Sequence, residues 1–349
     1  MTSLFITVTG QEDNLGDSLL RRGYLQSVRS LGELHVLTGY NSPGYVTGLG
    51  LSDIDIAYAD RGAWERRLAR EALLGRRPVM LLNAGEARIS EGHEYVGGRL
   101  DLLAKLVAAR GGRVVQTGLG VREGINARPS ARLQKFLKRA DLVTWRDPES
   151  HVAVGIGSVA PDWAFALEVL EVDSEPESRP YLAVSMRGDR AVPDADWLAA
   201  VDGLARKHSL TPLVVTQVQR DNERAHEIAS LLDSAAEVRA WNDTSHAARL
   251  EELEDVYASC RVIVSDRLHA LVLAASRGAV PVGLSTGSAE KLKRTLLPAH
   301  LDDWCFDAET VSTAVDIVLP PSTEILERHR RAGAELRRVT SALEKLAAV

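Results

Sequence analysis

Residues Arg261 to Leu284 read RVIVSDRLHALVLAASRGAVPVGL. The opening apolar run has the length and branched composition of a strand buried on both faces. Ser265 or Asp266 can cap a following helix, Gly278 ends that helix, and Val280 to Leu284 starts the next strand. Arg267 and His269 therefore sit at the carboxyl end of a strand and in the first turn of a helix. Open α/β sheets bind ligands at that edge, and a helix amino terminus there favours an anion. Arginine offers planar, two-point recognition of phosphate or carboxylate, and histidine moves a proton near neutral pH. Taken singly, such a histidine reads as a satisfied core residue and such an arginine as a surface one. Their joint placement makes them an anion clamp beside an acid or base.

The same rhythm extends outward from this unit. Tyr181 to Ser185, Leu213 to Thr216 and Val238 to Ala240 read as further strands, with helices over Asp194 to Lys207 and Asn222 to Asp233. In the first half, strands are expected at Ser3 to Thr9, Leu34 to Thr38, Ile54 to Ala57, Pro78 to Asn83, Arg113 to Thr117 and Asp141 to Trp145, with crossover helices over Ala63 to Leu74 and Leu100 to Arg110. Between Glu168 and Pro180 the pattern breaks into an acidic, proline-containing stretch that suits an exposed linker. From Ser322 the chain reads as one Arg- and Glu-rich helix with an apolar stripe, a packing helix. The expected architecture is α/β, with two doubly wound, Rossmann-like domains at residues 1–168 and 181–320, a linker at 169–180 and a terminal helix at 321–349.

A chain of 349 residues is long enough for two cores. Its 48 acidic and 42 basic residues leave a net charge of −6, which excludes an overall pull toward nucleic acid or anionic lipid; any anion site must be local. The two cysteines, Cys260 and Cys305, have no metal-ligand spacing and suit a reducing compartment. The amino-terminal MTSLFITVTG lacks a basic leader, and no apolar run reaches the length of a membrane span. A cytoplasmic protein with at most peripheral membrane contact is expected.

Other strand ends carry polar side chains. The first strand runs into Gln11-Glu12-Asp13-Asn14-Leu15-Gly16-Asp17, where Asn14 and Asp17 are good helix caps and also lie at a ligand-facing edge. Arg146-Asp147 follows another strand; such neighbours are more often a structural pair than a catalytic one. Arg187 follows Tyr181 to Ser185 and should share the edge of Arg267. Gly118, Gly120 and Gly124 lack dinucleotide-fingerprint spacing, so a nicotinamide cofactor is not implied.

Asn14-Leu15-Gly16-Asp17, Thr144-Trp145-Arg146-Asp147, Pro161-Asp162-Trp163-Ala164-Phe165, Ser185-Met186-Arg187 and Ser265-Asp266-Arg267-Leu268-His269 follow one another in an order and spacing that resembles the polysaccharide pyruvyl transferases. The chain departs from that pattern at Leu82-Asn83-Ala84-Gly85-Glu86, where the family tends to have a glycine run, and at Gln116 to Gly120. The resemblance implies two domains facing across a cleft, as in the GT-B glycosyltransferases. It also implies transfer of a pyruvyl group from phosphoenolpyruvate to a glycan or lipid-linked sugar of the cell envelope or an exported polymer, forming a pyruvate ketal and releasing phosphate.

By the same resemblance Arg187, Arg267, Leu268 and Lys291, or Lys293 in an alternative register, would hold phosphoenolpyruvate. His269 would act as acid or base, and Asn14, Gly16, Asp17, Arg146 and Asp147 would serve the acceptor or the cleft. No cofactor or metal is called for. A nucleotide-sugar glycosyltransferase of the same architecture, with Glu290 for the ribose, and a catalytically silent sugar-binding protein are the alternatives.

Overall fold

A computed structural model describes residues 2–39, 43–93, 95–169, 178–242 and 244–348. The chain divides into two compact units. The first comprises Met1–Gln11, Leu20–Ala166 and Gly333–Val349, and the second Glu12–Leu19 and Leu167–Ala332. The expected contiguous ranges thus differ from the observed units at both ends: Glu12–Leu19 belongs to the second unit and the end of the terminal helix to the first. Most of the expected linker, residues 170–177, lies outside the described residues.

The first unit holds β1 (Ser3–Thr7), β2 (Glu33–Leu37), β3 (Ile56–Tyr58), β4 (Val79–Leu82), β5 (Gly85–Ala87), β6 (Arg113–Val121), β7 (Leu142–Trp145) and β8 (Ser158–Val159). They form a parallel sheet in the order β3-β2-β1-β4-β6-β7-β8, with β5 alongside β6. All five residues of β1 are buried, as a central strand covered on both faces requires. Phe5 stacks on His35 with ring centres 4.3 Å apart and meets the edge of Trp64 at 5.8 Å. Winding reverses between β1 and β4, so the carboxyl ends of these two strands form the crevice where such sheets take ligands.

The second unit holds β9 (Tyr181–Ser185), β10 (Thr211–Val215), β11 (Glu237–Arg239), β12 (Cys260–Ser265), β13 (Val280–Leu284) and β14 (Cys305–Phe306). All are parallel, in the order β11-β10-β9-β12-β13-β14, the doubly wound order with its switch point between β9 and β12. Ser185 pairs with Ser265 in register, so the residues that follow each strand emerge at the same level. The helix Leu268–Ala275 is buried at every position except His269. Two doubly wound α/β units match the expected fold class.

The strands missing from the sequence reading, β5, β8 and β14, have two or three residues each and present no alternation to detect. The tail forms one helix, Ser322–Ala347. Within it His329 is 1% exposed. Burial, reinforced by Arg277 and Arg330, pushes its pKa from 6.5 down to about 3. Below pH 6.5 the unfolded chain binds a proton that the folded chain refuses, so stability falls as pH drops through that window. Unfolding free energy is expected to drop by about 3 kcal/mol between roughly pH 6.5 and pH 4 on this account alone. Denaturant titrations at several pH values should show a flatter profile for His329→Leu; an unchanged slope contradicts the assignment.

Candidate functional site

Ser265 ends β12 and donates its hydroxyl to the Ser185 carbonyl while accepting from the Arg267 amide at 2.9 Å. This ties the ends of β9 and β12 together. The expected cap is corrected here: the first helical turn has no side-chain cap from Ser265 or Asp266. Asp266 instead accepts the Arg187 amide at 2.9 Å and lies 3.8 Å from the Arg190 guanidinium. Asp266 thus supports the loop that carries Arg187.

Arg267 is nearly buried and is gripped by Asp221, whose Oδ2 accepts from Nε and a terminal nitrogen of the guanidinium. Asp221 is anchored in turn by the Gly188 amide at 2.8 Å. Burial raises the Asp221 pKa and lowers that of Arg267, and their contact opposes both shifts. Arg187 makes a two-point pair with Asp189 at 2.8 and 2.6 Å. Asp189 has 53% of its side chain exposed, and its hydrogen bonds to Arg187 hold its pKa down at about 2. The two arginines therefore differ in availability. The Arg187 pair is in contact with water and cheap to exchange, whereas the Arg267 pair is desolvated and fixes the guanidinium in place.

His269 stands against the segment Glu12–Leu19. A Cβ added at Gly16 would lie 2.7 Å from His269 Nδ1, 3.0 Å from its Cβ and 3.2 Å from Asn14 Oδ1, so the backbone reaches this histidine only because residue 16 lacks a side chain. Asn14 accepts the Gly16 amide at 3.0 Å at the start of the helix Leu15–Val28. The segment is held by an antiparallel bridge between Asn14 and Val218, by the Leu15 amide donating to the Gln217 carbonyl at 3.2 Å, and by His246. One ring nitrogen of His246 meets the Glu12 carbonyl, and the other lies 2.9 Å from the Ser18 hydroxyl. Asn14, Gly16 and Asp17, expected in the first domain, thus belong to the same unit as His269.

Arg146 and Asp147 lie in the first unit. Asp147 is fully buried and caps the helix Pro148–Val154, its oxygens accepting the Ser150 amide and hydroxyl at 2.7 Å each. Arg146 is 3% exposed and pairs with Asp162 at 3.2 Å and Glu86 at 3.3 Å. These contacts suit the structural reading of the pair. A Cβ at Gly120 would come within 2.6 Å of Arg146 Nε, and one at Gly118 within 2.4 Å of Trp163; these glycines serve close packing.

A cavity of about 240 Å³ opens at the switch point of the first sheet, lined by Thr9, Arg21, Asn83, Glu86 and Tyr95 among others. Asn83 donates to the Thr9 carbonyl at 2.8 Å and accepts from Arg21 at 3.2 Å. Of the two candidate lysines, Lys293 is committed to Asp307 at 2.6 Å. Lys291 is the second residue of the helix Glu290–Leu296, which follows β13.

Asp221, Asp189, Arg190 and His246 escaped the sequence reading. Asp221 closes the short turn Gln219–Asp221 beyond the end of β10, immediately before the helix Asn222–Leu231. His246 touches a segment more than two hundred residues earlier, for which no local pattern exists.

A family model described as polysaccharide pyruvyl transferase matches residues 14–288. The chain belongs to this family. The matched stretch contains Asn14, Arg187, Arg267 and His269, and it ends just before Lys291. No curated protein matches this pyruvyl transferase family member. Its fold resembles the S. aureus MnaA–UDP co-structure at a TM-score of 0.57 and 10% identity, covering 95% of this chain and 91% of that one. A putative UDP-N-acetylglucosamine 2-epimerase from Listeria monocytogenes gives 0.56 and 10%, covering 98% and 95%. Anabaena Alr3699/HepE in complex with UDP-glucose gives 0.54 and 12%, covering 100% of both. At these identities the likeness is one of fold.

Proposed function

We propose that this transferase moves the pyruvyl group of phosphoenolpyruvate onto two hydroxyls of a glycan sugar, forming a cyclic ketal. The observation that carries this reading is the pairing of Arg187 and Arg267 at one switch point beside His269, in a chain whose family match spans that site. Phosphoenolpyruvate bears a carboxylate and a phosphate, and two arginines can take one each. Arg187 exchanges Asp189 for one anion. Arg267, already oriented by Asp221, presents its remaining donors together with the helix amino terminus to the other. Lys291, at the second position of the helix that follows β13, supports the departing phosphate.

In the reaction the methylene carbon gains a proton, two sugar oxygens bond to the central carbon, and its bond to the phosphate oxygen breaks. Of the two hydroxyl protons, one is accounted for in the new methyl group and the other leaves with phosphate. His269 serves as the carrier, giving a proton to the methylene and regaining one from an attacking hydroxyl. Asn14 and Asp17 sit on the Gly16 side of that histidine and suit the reacting hydroxyls.

Two results are expected. Asp189→Asn removes the competitor for Arg187 and should lower KM for phosphoenolpyruvate by roughly threefold in initial-rate measurements; a raised KM contradicts the exchange. Gly16→Ala should cost roughly a hundredfold in kcat with the protein still folded, because the new methyl displaces His269. An unchanged kcat separates His269 from the chemistry. The function itself is tested by incubating the protein with phosphoenolpyruvate and candidate glycans, following phosphate release and the mass of the sugar product. Turnover of UDP-sugars with none of phosphoenolpyruvate would instead support the glycosyltransferase reading.

A further inference from the structure

The opposite edge of the second sheet carries a different kind of site. A pocket of about 410 Å³ is lined by Lys207, His208, Leu210, Arg261, Ile317, Val318 and Leu319. Arg261 stands at the amino end of β12, a strand whose length separates it from Arg267 by roughly 20 Å. This pocket is distinct from the proposed pyruvyl-transfer site.

Its charge is unusual in this chain. Lys207 donates to the Val315 carbonyl at 2.8 Å, and Arg261 donates to the Ser322 hydroxyl at 3.2 Å and the Pro320 carbonyl at 3.1 Å. None of these partners bears a charge. Burial lowers the His208 pKa, the Ile317 carbonyl opposes that shift, and Lys207 and Arg261 lower it further. Burial lowers the Arg261 pKa. No carboxylate is therefore seen to compensate this cluster among the described residues, whereas arginines elsewhere pair with acids, as Arg29 does with Asp55 and Arg277 with Glu254. Lys207 and Arg261 each use only part of their donor sets on the neighbouring chain, so donors remain for a ligand.

The remaining lining is apolar. Leu210, Ile317 and Leu319 also line it, and Val318 is 85% exposed. Exposed valine beside clustered cations suits a molecule that is anionic at one end and apolar at the other. We propose that this pocket binds an amphipathic phosphate ester, with the phosphate on Lys207, His208 and Arg261 and the apolar chain over Leu210, Ile317, Val318 and Leu319. The ligand is either a soluble amphiphile or a phosphate-bearing lipid at a membrane surface.

The full-length protein should be titrated calorimetrically with dihexanoyl phosphatidic acid. Saturable binding is expected, weakened at least tenfold by Lys207→Glu, which alters an exposed side chain, and several-fold by Val318→Asp. Inorganic phosphate should bind at least about tenfold more weakly, lacking the apolar contacts, and dihexanoyl phosphatidylcholine should not bind. Arg99→Glu, at an exposed cation of the other unit, should bind as the unaltered protein does. Sedimentation with phosphatidylcholine vesicles containing phosphatidic acid, lost in Lys207→Glu, assigns the ligand to a lipid surface. Binding of the short-chain ester without vesicle sedimentation assigns it to a soluble amphiphile. Absence of saturable binding, equal binding of phosphatidylcholine, or full binding by Lys207→Glu overturns the proposal. All these readouts are independent of pyruvyl transfer.

Discussion

Arg267→Lys is expected to leave the protein folded and to reduce kcat/KM for phosphoenolpyruvate by roughly a hundredfold to a thousandfold, the cost of losing one positioned donor in a catalytic site. Lysine keeps the positive charge but cannot maintain the fork that grips Asp221 while presenting further donors outward. The loss should appear mainly in kcat if Arg267 binds the phosphate as it departs, and mainly in KM if it holds the carboxylate. Asp221→Asn is the companion variant. With Asp221 1% and Arg267 9% exposed, removing the acid strands a buried guanidinium, and unfolding measurements should show a loss of about 3–5 kcal/mol. If Arg267→Lys retains full activity, the desolvated pair is purely structural and the anion clamp lies elsewhere.

His269→Ala carries the second large expected effect. Removing a proton carrier should lower kcat by roughly two to four orders of magnitude, while phosphoenolpyruvate affinity, resting on the arginines, stays within a few-fold of the unaltered protein. The protein should stay folded, because His269 is the one position of the helix Leu268–Ala275 that is not fully buried. A complementary measurement guards against a silent binding protein: if His269→Ala leaves glycan modification in cells intact, the fold acts through binding alone.

The residues divide by how local their signals are. β9, β12 and β13 were legible because a strand buried on both faces is a short continuous run of branched apolar residues, and Gly278, at φ +77°, stops the intervening helix as only a glycine does readily. Arg187, Arg267 and His269 were legible through their places after those strands. Arg146 and Asp147 read as a structural pair or as site residues; in the fold Asp147 caps the helix Pro148–Val154 while Arg146 pairs with Asp162 and Glu86. The membership of Asn14 and Gly16 was not legible at all. Contacts of Asn14 with Val218, of Leu15 with Gln217 and of Gly16 with His269 hold the segment to the second unit, and contacts so distant in sequence leave no periodicity. Asp221 carries no local signal of its role, because what it does is hold Arg267, 46 residues away in sequence.

Isothermal titration of phosphoenolpyruvate into the unaltered protein and into Arg187→Ala, Arg267→Lys and His269→Ala tests the central claim most directly. The account predicts saturable binding to the unaltered protein and to His269→Ala, weakened at least about tenfold in each arginine variant. Failure of the unaltered protein to bind phosphoenolpyruvate, or equal affinity in Arg187→Ala, would contradict it.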